Sequence, residues 1–360
     1  MNTLIIGKSS TGKTSRIIVK EIEEKINKNE SFFFLDYKLE YYKHYQRDLI
    51  KKGYKVNIVN IQDCIKSNCW NPLMFPFNVY KSDKDKAIEI LNNIGETIFE
   101  NDTVSDIFWS NACRDLFIGF SLILFENAKE EAINLFSINN MLNEEIDYEA
   151  LLEKYDKFDP IYLSLSEVIK SPKETKESVF ALFKQNMNIY LMYENLSNLL
   201  SYSDINIEEY KSEKIALFFV NKKDNKKVNN LASMYINELI SIYINNDHSI
   251  KFNFVLDNLE TIPPLKRLNT LLSLSTSHNI DIIIGVKYLD YYKDIYSMRD
   301  IDKLYNLDND ASVVIVEKNS KQKYNINKFP IVTLNNIADY PILESHTKFL
   351  FNLDYYIRNK

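Results

Sequence analysis

Short apolar runs with polar ends recur along the chain at 32–36, 55–60, 215–221, 252–257, 280–286 and 312–316, after a first run that opens at Thr3. Each has the length and pattern of a buried β-strand. Most are separated by stretches in which apolar residues return every third or fourth position, as at 17, 18, 22 and 26 within 15–27, and again over 228–244 and 265–274. Strands alternating with amphipathic helices predict an α/β fold, a mostly parallel sheet with helices on both faces. The alternation stops between about residue 80 and residue 205. There the spacing is helical throughout, over 83–99, 106–127, 132–142, 148–156, 163–169 and 175–200. The expected organisation is one α/β domain made of 1–80 and 205–360, interrupted after its third strand by an all-α domain at 81–204. The stretch after Glu317 shows no comparable pattern.

Composition narrows the function classes. Forty-four Lys+Arg against fifty Asp+Glu leave a net charge of −6, and 45% of residues are hydrophobic. That excludes a disordered chain and a broadly cationic DNA binder, so any nucleic-acid contact must be local. Three scattered cysteines (Cys64, Cys69, Cys113) and four distant histidines offer neither a disulfide framework nor zinc spacing. The longest apolar stretch, Leu116 to Phe125, has ten residues, against the ~20 that a membrane span needs. With a strand-like run at its very start, the chain reads as soluble and cytoplasmic, without a signal peptide or a span of its own.

Only six glycines occur, and two of them lie five apart in the first twelve residues. The segment Gly7-Lys8-Ser9-Ser10-Thr11-Gly12-Lys13-Thr14 follows a hydrophobic strand and precedes an amphipathic helix. That is the order a phosphate-binding loop requires: backbone N–H groups converge on the β-phosphate, Lys13 reaches the β/γ oxygens, and the Thr14 hydroxyl ligates Mg²⁺. ATP with Mg²⁺ is the expected ligand. A second carboxylate belongs at the end of another strand, and Phe252-Asn-Phe-Val-Leu-Asp257 supplies Asp257. The next residue, where a water-orienting carboxylate is expected, is Asn258, which cannot take a proton. Losing that base costs about 10²–10⁴ in rate. Glu260 either replaces it or is an ordinary solvated loop residue.

Several further stretches resemble the conjugative coupling proteins of type IV secretion, the TraG/TraD-like DNA transfer ATPases. Phe33-Phe-Leu-Asp36-Tyr-Lys38-Leu-Glu40 is similar to their strand ending in D-P-K-G-E, and Trp70-Asn71-Pro72-Leu73 after Ser67 to their S-x-x-W-N-P-L. Phe108-Trp109, Thr175-Lys-Glu-Ser178-Val, Ile215 to Val220, Phe254-Val-Leu-Asp257 with Ile262-Pro263, and Ile280 to Tyr296 follow in the family's order. The resemblance implies a RecA-like P-loop NTPase with an inserted all-α domain. It also implies a hexameric ring that moves single-stranded DNA, or a relaxase–DNA complex, toward a secretion channel at the inner face of the membrane. Three departures surround the γ-phosphate. The family's glutamate is Asn258, its arginine near Thr276-Ser277-His278 is absent, and its glutamine aligns with Lys287, a candidate phosphate contact in its place. An arginine finger is worth about 10³–10⁵ in rate; Arg267 or Arg299 of a neighbouring subunit is a candidate.

Lys222, Lys223, Lys226 and Lys227 form a basic loop after a core strand, either a DNA contact in a ring lumen or a solvated loop. The tyrosines at 41, 42 and 45 and at 291 and 292 invite a base-stacking reading, but with 24 tyrosines in the chain packing is the simpler account. Two functions follow: a DNA-handling ATPase, or a weakened relative that holds ATP as a structural ligand in a homo-hexamer or a mixed ring.

Overall fold

The computed structural model describes residues 2–8, 11–99, 107–142, 146–205, 212–222, 225, 227–245, 247–288, 312–316, 337–343 and 348–359. Its centre is a seven-stranded sheet formed by β1 (Thr3–Gly7), β2 (Ser31–Leu35), β3 (Lys55–Asn60), β4 (Ile215–Val220), β5 (Phe252–Asp257), β6 (Ile280–Val286) and β7 (Ser312–Val316), in the order β3-β4-β2-β5-β6-β1-β7. Every pair is parallel. Strands covered on both faces need uninterrupted apolar runs, which is why Ser31-Phe-Phe-Phe-Leu35, at the centre between β4 and β5, is buried at all five positions. Phe34 stacks on Phe218 of β4 with ring centroids 4.6 Å apart.

Two helices follow the first strands. The chain leaves β1 through a single π-turn, Lys13–Ile18, that runs into α1 (Val19–Asn27). The α2 helix (Glu40–Lys51) lies against β2, with Tyr41 and Tyr45 stacked on Phe34. Tyr41, Tyr42 and Tyr45 are all buried, so these aromatics are core residues. Tyr291 and Tyr292 lie outside the described residues. In an all-parallel sheet the C-terminal ends of all strands share one edge, and Gly7, Asp36, Asn221, Asp257 and Lys287 all gather there.

The chain divides into two compact units, Met1–Asn68 with Ile205–Ile342 and Cys69–Asp204 with Leu343–Lys360. The second holds α3 (Met74–Tyr80), α4 (Lys84–Phe99), α5 (Ile107–Asn127), α6 (Leu135–Asn140), α7 (Tyr148–Leu152), α8 (Pro160–Ile169), α9 (Lys173–Leu191) and α10 (Glu194–Leu199). Here the boundary differs from the expected 80/81. Trp70-Asn71-Pro72-Leu73 is built into the helical unit: Trp70 N–H donates to Leu199 O at 2.8 Å, and Asn71 Nδ2 donates to Ile133 O at 2.6 Å. The residues after Leu343 also belong there, since Asn134 Nδ2 donates to Phe349 O and Phe351 N–H donates to Ser137 Oγ. Both are long-range polar contacts that periodicity does not register.

The expected helix 132–142 is a 3₁₀ turn followed by α6, and 175–200 is broken at Met192-Tyr193 into α9 and α10. Trp70 is buried as an anchor, while Trp109 is only half-buried. Among the described residues α5 alone is long and apolar enough to cross a membrane, and 61% of its apolar window is buried.

Asn71 is 1% exposed, and its Oδ1 also accepts the Leu73 N–H at 3.0 Å. Asn71→Ala strands two buried backbone groups and is expected to destabilise the helical unit by about 2–4 kcal/mol. Both tryptophans of the chain lie in that unit, so urea unfolding followed by tryptophan fluorescence reads the loss directly.

Candidate functional site: the phosphate loop and the carboxylate behind it

β1 ends at Gly7, and the chain turns at once. The Thr11 hydroxyl donates to Lys8 O at 2.8 Å. Gly12 takes φ +92°, a backbone that side chains adopt only at a cost, and a Cβ there would stand 3.0 Å from the Arg16 side chain. Lys13 and Thr14 then begin the helical segment, with Lys13 6% exposed. Ser9 and Ser10 lie outside the described residues. A π-turn at this place moves the side chains of the first turn off the ordinary helical register, a device frequent at functional sites.

Asp257 closes β5 and is 2% exposed. Three donors meet it within hydrogen-bond distance. The Thr14 hydroxyl donates to Oδ2 at 2.7 Å, the Tyr41 hydroxyl to the same oxygen at 2.8 Å, and the Asn258 N–H to Oδ1 at 2.9 Å. Lys13 Nζ stands 4.0 Å from Oδ1. Burial, then the neighbouring Asp257 charge, holds the Tyr41 phenol well above its ordinary pKa, so it remains a donor. The cradle depends on Gly285, which faces Asp257 across the β5–β6 pair; a Cβ at 285 would fall 2.3 Å from Oδ1. A hydroxyl and a carboxylate side by side are the hard oxygen donors that Mg²⁺ accepts while keeping most of its waters, so Thr14 and Asp257 fit that ion.

Tyr41 is placed by Asp36. The Asp36 carboxylate follows β2, is 1% exposed, and accepts the N–H groups of Glu40 at 2.9 Å and Tyr42 at 2.8 Å. It thereby satisfies the open start of α2, the helix that carries Tyr41. Burial pushes this carboxyl up to about 7, against the lowering effect of the N–H groups it accepts. Lys38 and Glu40 form an exposed pair at 3.7 Å.

Beyond Asp257 the chain turns sharply. Asn258 sits in the left-handed region at φ 55°, which asparagine tolerates better than most residues. Glu260, in the one turn Leu259–Thr261, is 15% exposed and pairs with Lys287 at 3.4 Å. It is therefore not a solvated loop residue, and the structure brings it together with Lys287.

The family model for type IV secretory system conjugative DNA transfer matches residues 2–326. The chain belongs to this family. Its fold matches the bacterial conjugative coupling protein TrwBdeltaN70 in complex with sulphate, with a TM-score of 0.63 at 14% identity, over 88% of this chain and 70% of that one. It also matches TrwB in complex with the non-hydrolysable ATP analogue ADPNP, with a TM-score of 0.62 at 14% identity over 85% and 68%. VirB4 of Thermoanaerobacter pseudethanolicus gives 0.52 at 14% over 88% and 78%. At these identities the likeness is one of fold: the α/β unit is a RecA-like P-loop NTPase fold. An alignment over 115 residues, covering 28% of the chain, is 33% identical to the DNA-directed RNA polymerase subunit beta of Phytoplasma mali, and spans 9% of that protein.

Within this coupling-protein family member the remaining candidates are spread out. Lys222 and Lys227 are exposed in the loop after β4; Lys223, Lys226 and Arg299 lie outside the described residues. The Arg267 guanidinium donates to the Ser241 hydroxyl inside its own unit. Thr276-Ser277-His278 forms a 3₁₀ turn ahead of β6. Sequence reasoning missed Tyr41 and Gly285 as site residues. Gly285 carried a signal, a glycine inside an apolar strand of a glycine-poor chain. Tyr41 carried none.

Two outcomes follow. Gly285→Ala forces a methyl against the Asp257 carboxylate and is expected to cost about 1–3 kcal/mol, read as a lower urea midpoint at unchanged slope. Asp36 releases its proton near 4 in the unfolded chain and near 7 in the folded one. Folding therefore binds a proton between those values, and this group's contribution to stability falls as pH rises from about 4 to about 7, by at most about 1.4 kcal/mol per pH unit. Urea titrations across that window should show a component of this sign that Asp36→Asn removes.

Proposed function

We propose that the chain binds ATP with Mg²⁺ at Gly7–Thr14 and Asp257 and uses it to handle DNA in conjugative transfer. The observation that carries this reading is the Thr14–Asp257 contact at 2.7 Å, behind a loop whose Gly12 takes the left-handed turn. Lys13 would meet the β/γ-phosphates and the N–H groups of the loop the β-phosphate. Thr14 and Asp257 would hold Mg²⁺, which when bound would supply charge to offset that of the phosphates. Crystal structures of TrwB with ADP and Mg²⁺ and with ADPNP support the nucleotide assignment.

The assembly consistent with the family is a ring, a homo-hexamer or a mixed ring with a related subunit. Single-stranded DNA would pass the basic loop Lys222–Lys227, and a relaxase and channel proteins would hold the ring at the inner face of the membrane. A second reading has its own observation. The residue after Asp257 is a left-handed asparagine where a catalytic carboxylate is expected, which favours a subunit that holds ATP and hydrolyses little.

Steady-state ATP hydrolysis with and without single-stranded DNA, against Lys13→Ala as the blank, separates the two. DNA-stimulated turnover at least about tenfold above the blank is the outcome expected of a motor. Tight ATP binding without turnover above the blank selects the scaffold, and loss of binding in Lys13→Ala is expected in either case.

A further inference from the structure

Thr14 belongs to the phosphate loop and Asn258 to the turn that β5 begins, but the third donor on Asp257 comes from a separate helix. A carboxylate offers about four acceptor positions, two on each oxygen. On Asp257 the Thr14 and Tyr41 hydroxyls, at 2.7 and 2.8 Å, occupy Oδ2, and the Asn258 N–H at 2.9 Å takes one position on Oδ1. Packing does not close the Oδ1 side, because that oxygen lies in the space a Cβ on Gly285 would fill. Lys13 Nζ stands 4.0 Å from the same oxygen, the outer limit of an ion pair. The two hydroxyls on Oδ2, and not a wall, therefore keep the carboxylate turned to Thr14 instead of to the lysine.

Tyr41 is itself held in place from several directions. Its ring is buried and stacked on Phe34 with centroids 5.7 Å apart, so packing sets its rotamer. Asp36 fixes the start of α2, and a second segment of the chain braces the same helix. The Tyr42 hydroxyl donates to Asp339 O at 2.6 Å, the Arg47 guanidinium donates to Asp339 Oδ1 at 3.0 Å, and the Tyr42 and Tyr340 rings lie 5.3 Å apart. A donor presented so rigidly behind a metal-binding carboxylate is the kind of group that orients a ligand without touching the ion.

We propose that Tyr41 is a positioning residue for the metal, an inference that rests on the ATP and Mg²⁺ reading above. Its phenol holds Asp257 Oδ2 beside the Thr14 hydroxyl, so the two groups that would hold Mg²⁺ are presented together. It also withholds the carboxylate from Lys13, whose ammonium stays available to phosphate. Without the phenol, Asp257 is free to turn over Gly285 and close the ion pair with Lys13, and that pair competes with the cation. Tyr41 acts through Asp257 and needs no contact with the nucleotide.

The test is equilibrium binding of fluorescent ADP to the full chain and to Tyr41→Phe, in EDTA and across a Mg²⁺ titration. Phenylalanine keeps the stacked ring and removes only the hydroxyl. The Mg²⁺ concentration that half-maximally tightens ADP binding is expected to rise about tenfold, the lower end for loss of a group that orients a metal ligand. ADP affinity in EDTA should fall by less than about threefold, whereas a merely structural role would weaken binding equally with and without the ion. In an Asp257→Asn background, Tyr41→Phe should move the Mg²⁺ dependence no further, because the group it acts through is gone. An unchanged Mg²⁺ dependence, an equal loss in EDTA, or a further shift in the Asp257→Asn background overturns the positioning role and leaves the nucleotide reading standing. An unsubstituted chain that binds no ADP, or binds it without regard to Mg²⁺, overturns that reading and the positioning role together.

Discussion

The site hangs on one buried carboxylate. Asp257 ends a central strand in a place that is almost closed to water, and a charge there persists only if donors surround it. Thr14 comes from the turn after β1, Tyr41 from the helix after β2, and the Asn258 N–H from the turn that β5 itself begins. Three separate connections are thus tied to one oxygen pair. Because the parallel sheet puts all its strand ends on one edge, loops far apart in sequence converge on that carboxylate without any long detour of the chain.

The opposite edge of the sheet is organised by another acid. Asp281, near the start of β6, is paired with Lys25 and with Lys251, the latter at 2.7 Å. Burial works to raise its pKa, but the two ammonium groups outweigh it and hold the carboxyl at about 2. Lys25 also reaches Glu30 at 3.6 Å, so the end of α1 is pinned to the strand edge below the phosphate loop. Asp36 and Asp281 are therefore opposite solutions to the same burial. One leans on neutral backbone N–H groups and is easily protonated, while the other is held ionised by full charges.

The helical unit is built on different terms. It is assembled from amphipathic and apolar helices, and its polar contacts mark where the chain enters and leaves. Trp70 and Asn71 bind it to Leu199 and Ile133, and the Asn71 N–H donates to the Ser203 hydroxyl at 2.9 Å, so the incoming and outgoing segments run side by side. That adjacency lets a domain-sized insertion leave β3 and return to β4, its hydrogen-bonded neighbour, without disturbing the sheet.

Much of this was legible in the sequence because it depends on local rules. Strands buried on both faces must be continuous apolar runs, and β3, β5, β6 and β7 fall on the residues the runs predict. A glycine loop between a strand and a helix must turn where Gly12 turns. The strand order, the fall of the division at Asn68 rather than residue 80, and the return of the C-terminal segment to the helical unit were decided only in three dimensions. So were the contacts that Tyr41 and Gly285 make with Asp257 and the pairing of Glu260 with Lys287. Each depends on which strands lie side by side, and no periodicity along a chain encodes whether residues on different strands meet, near in sequence as Asp257 and Gly285 or distant as Tyr41 and Asp257. The chain by itself determined which chemistry is present, since that resides in residue types and their spacing. The tertiary structure alone decided which of those groups meet, because burial and contact are properties of the packed sheet edge.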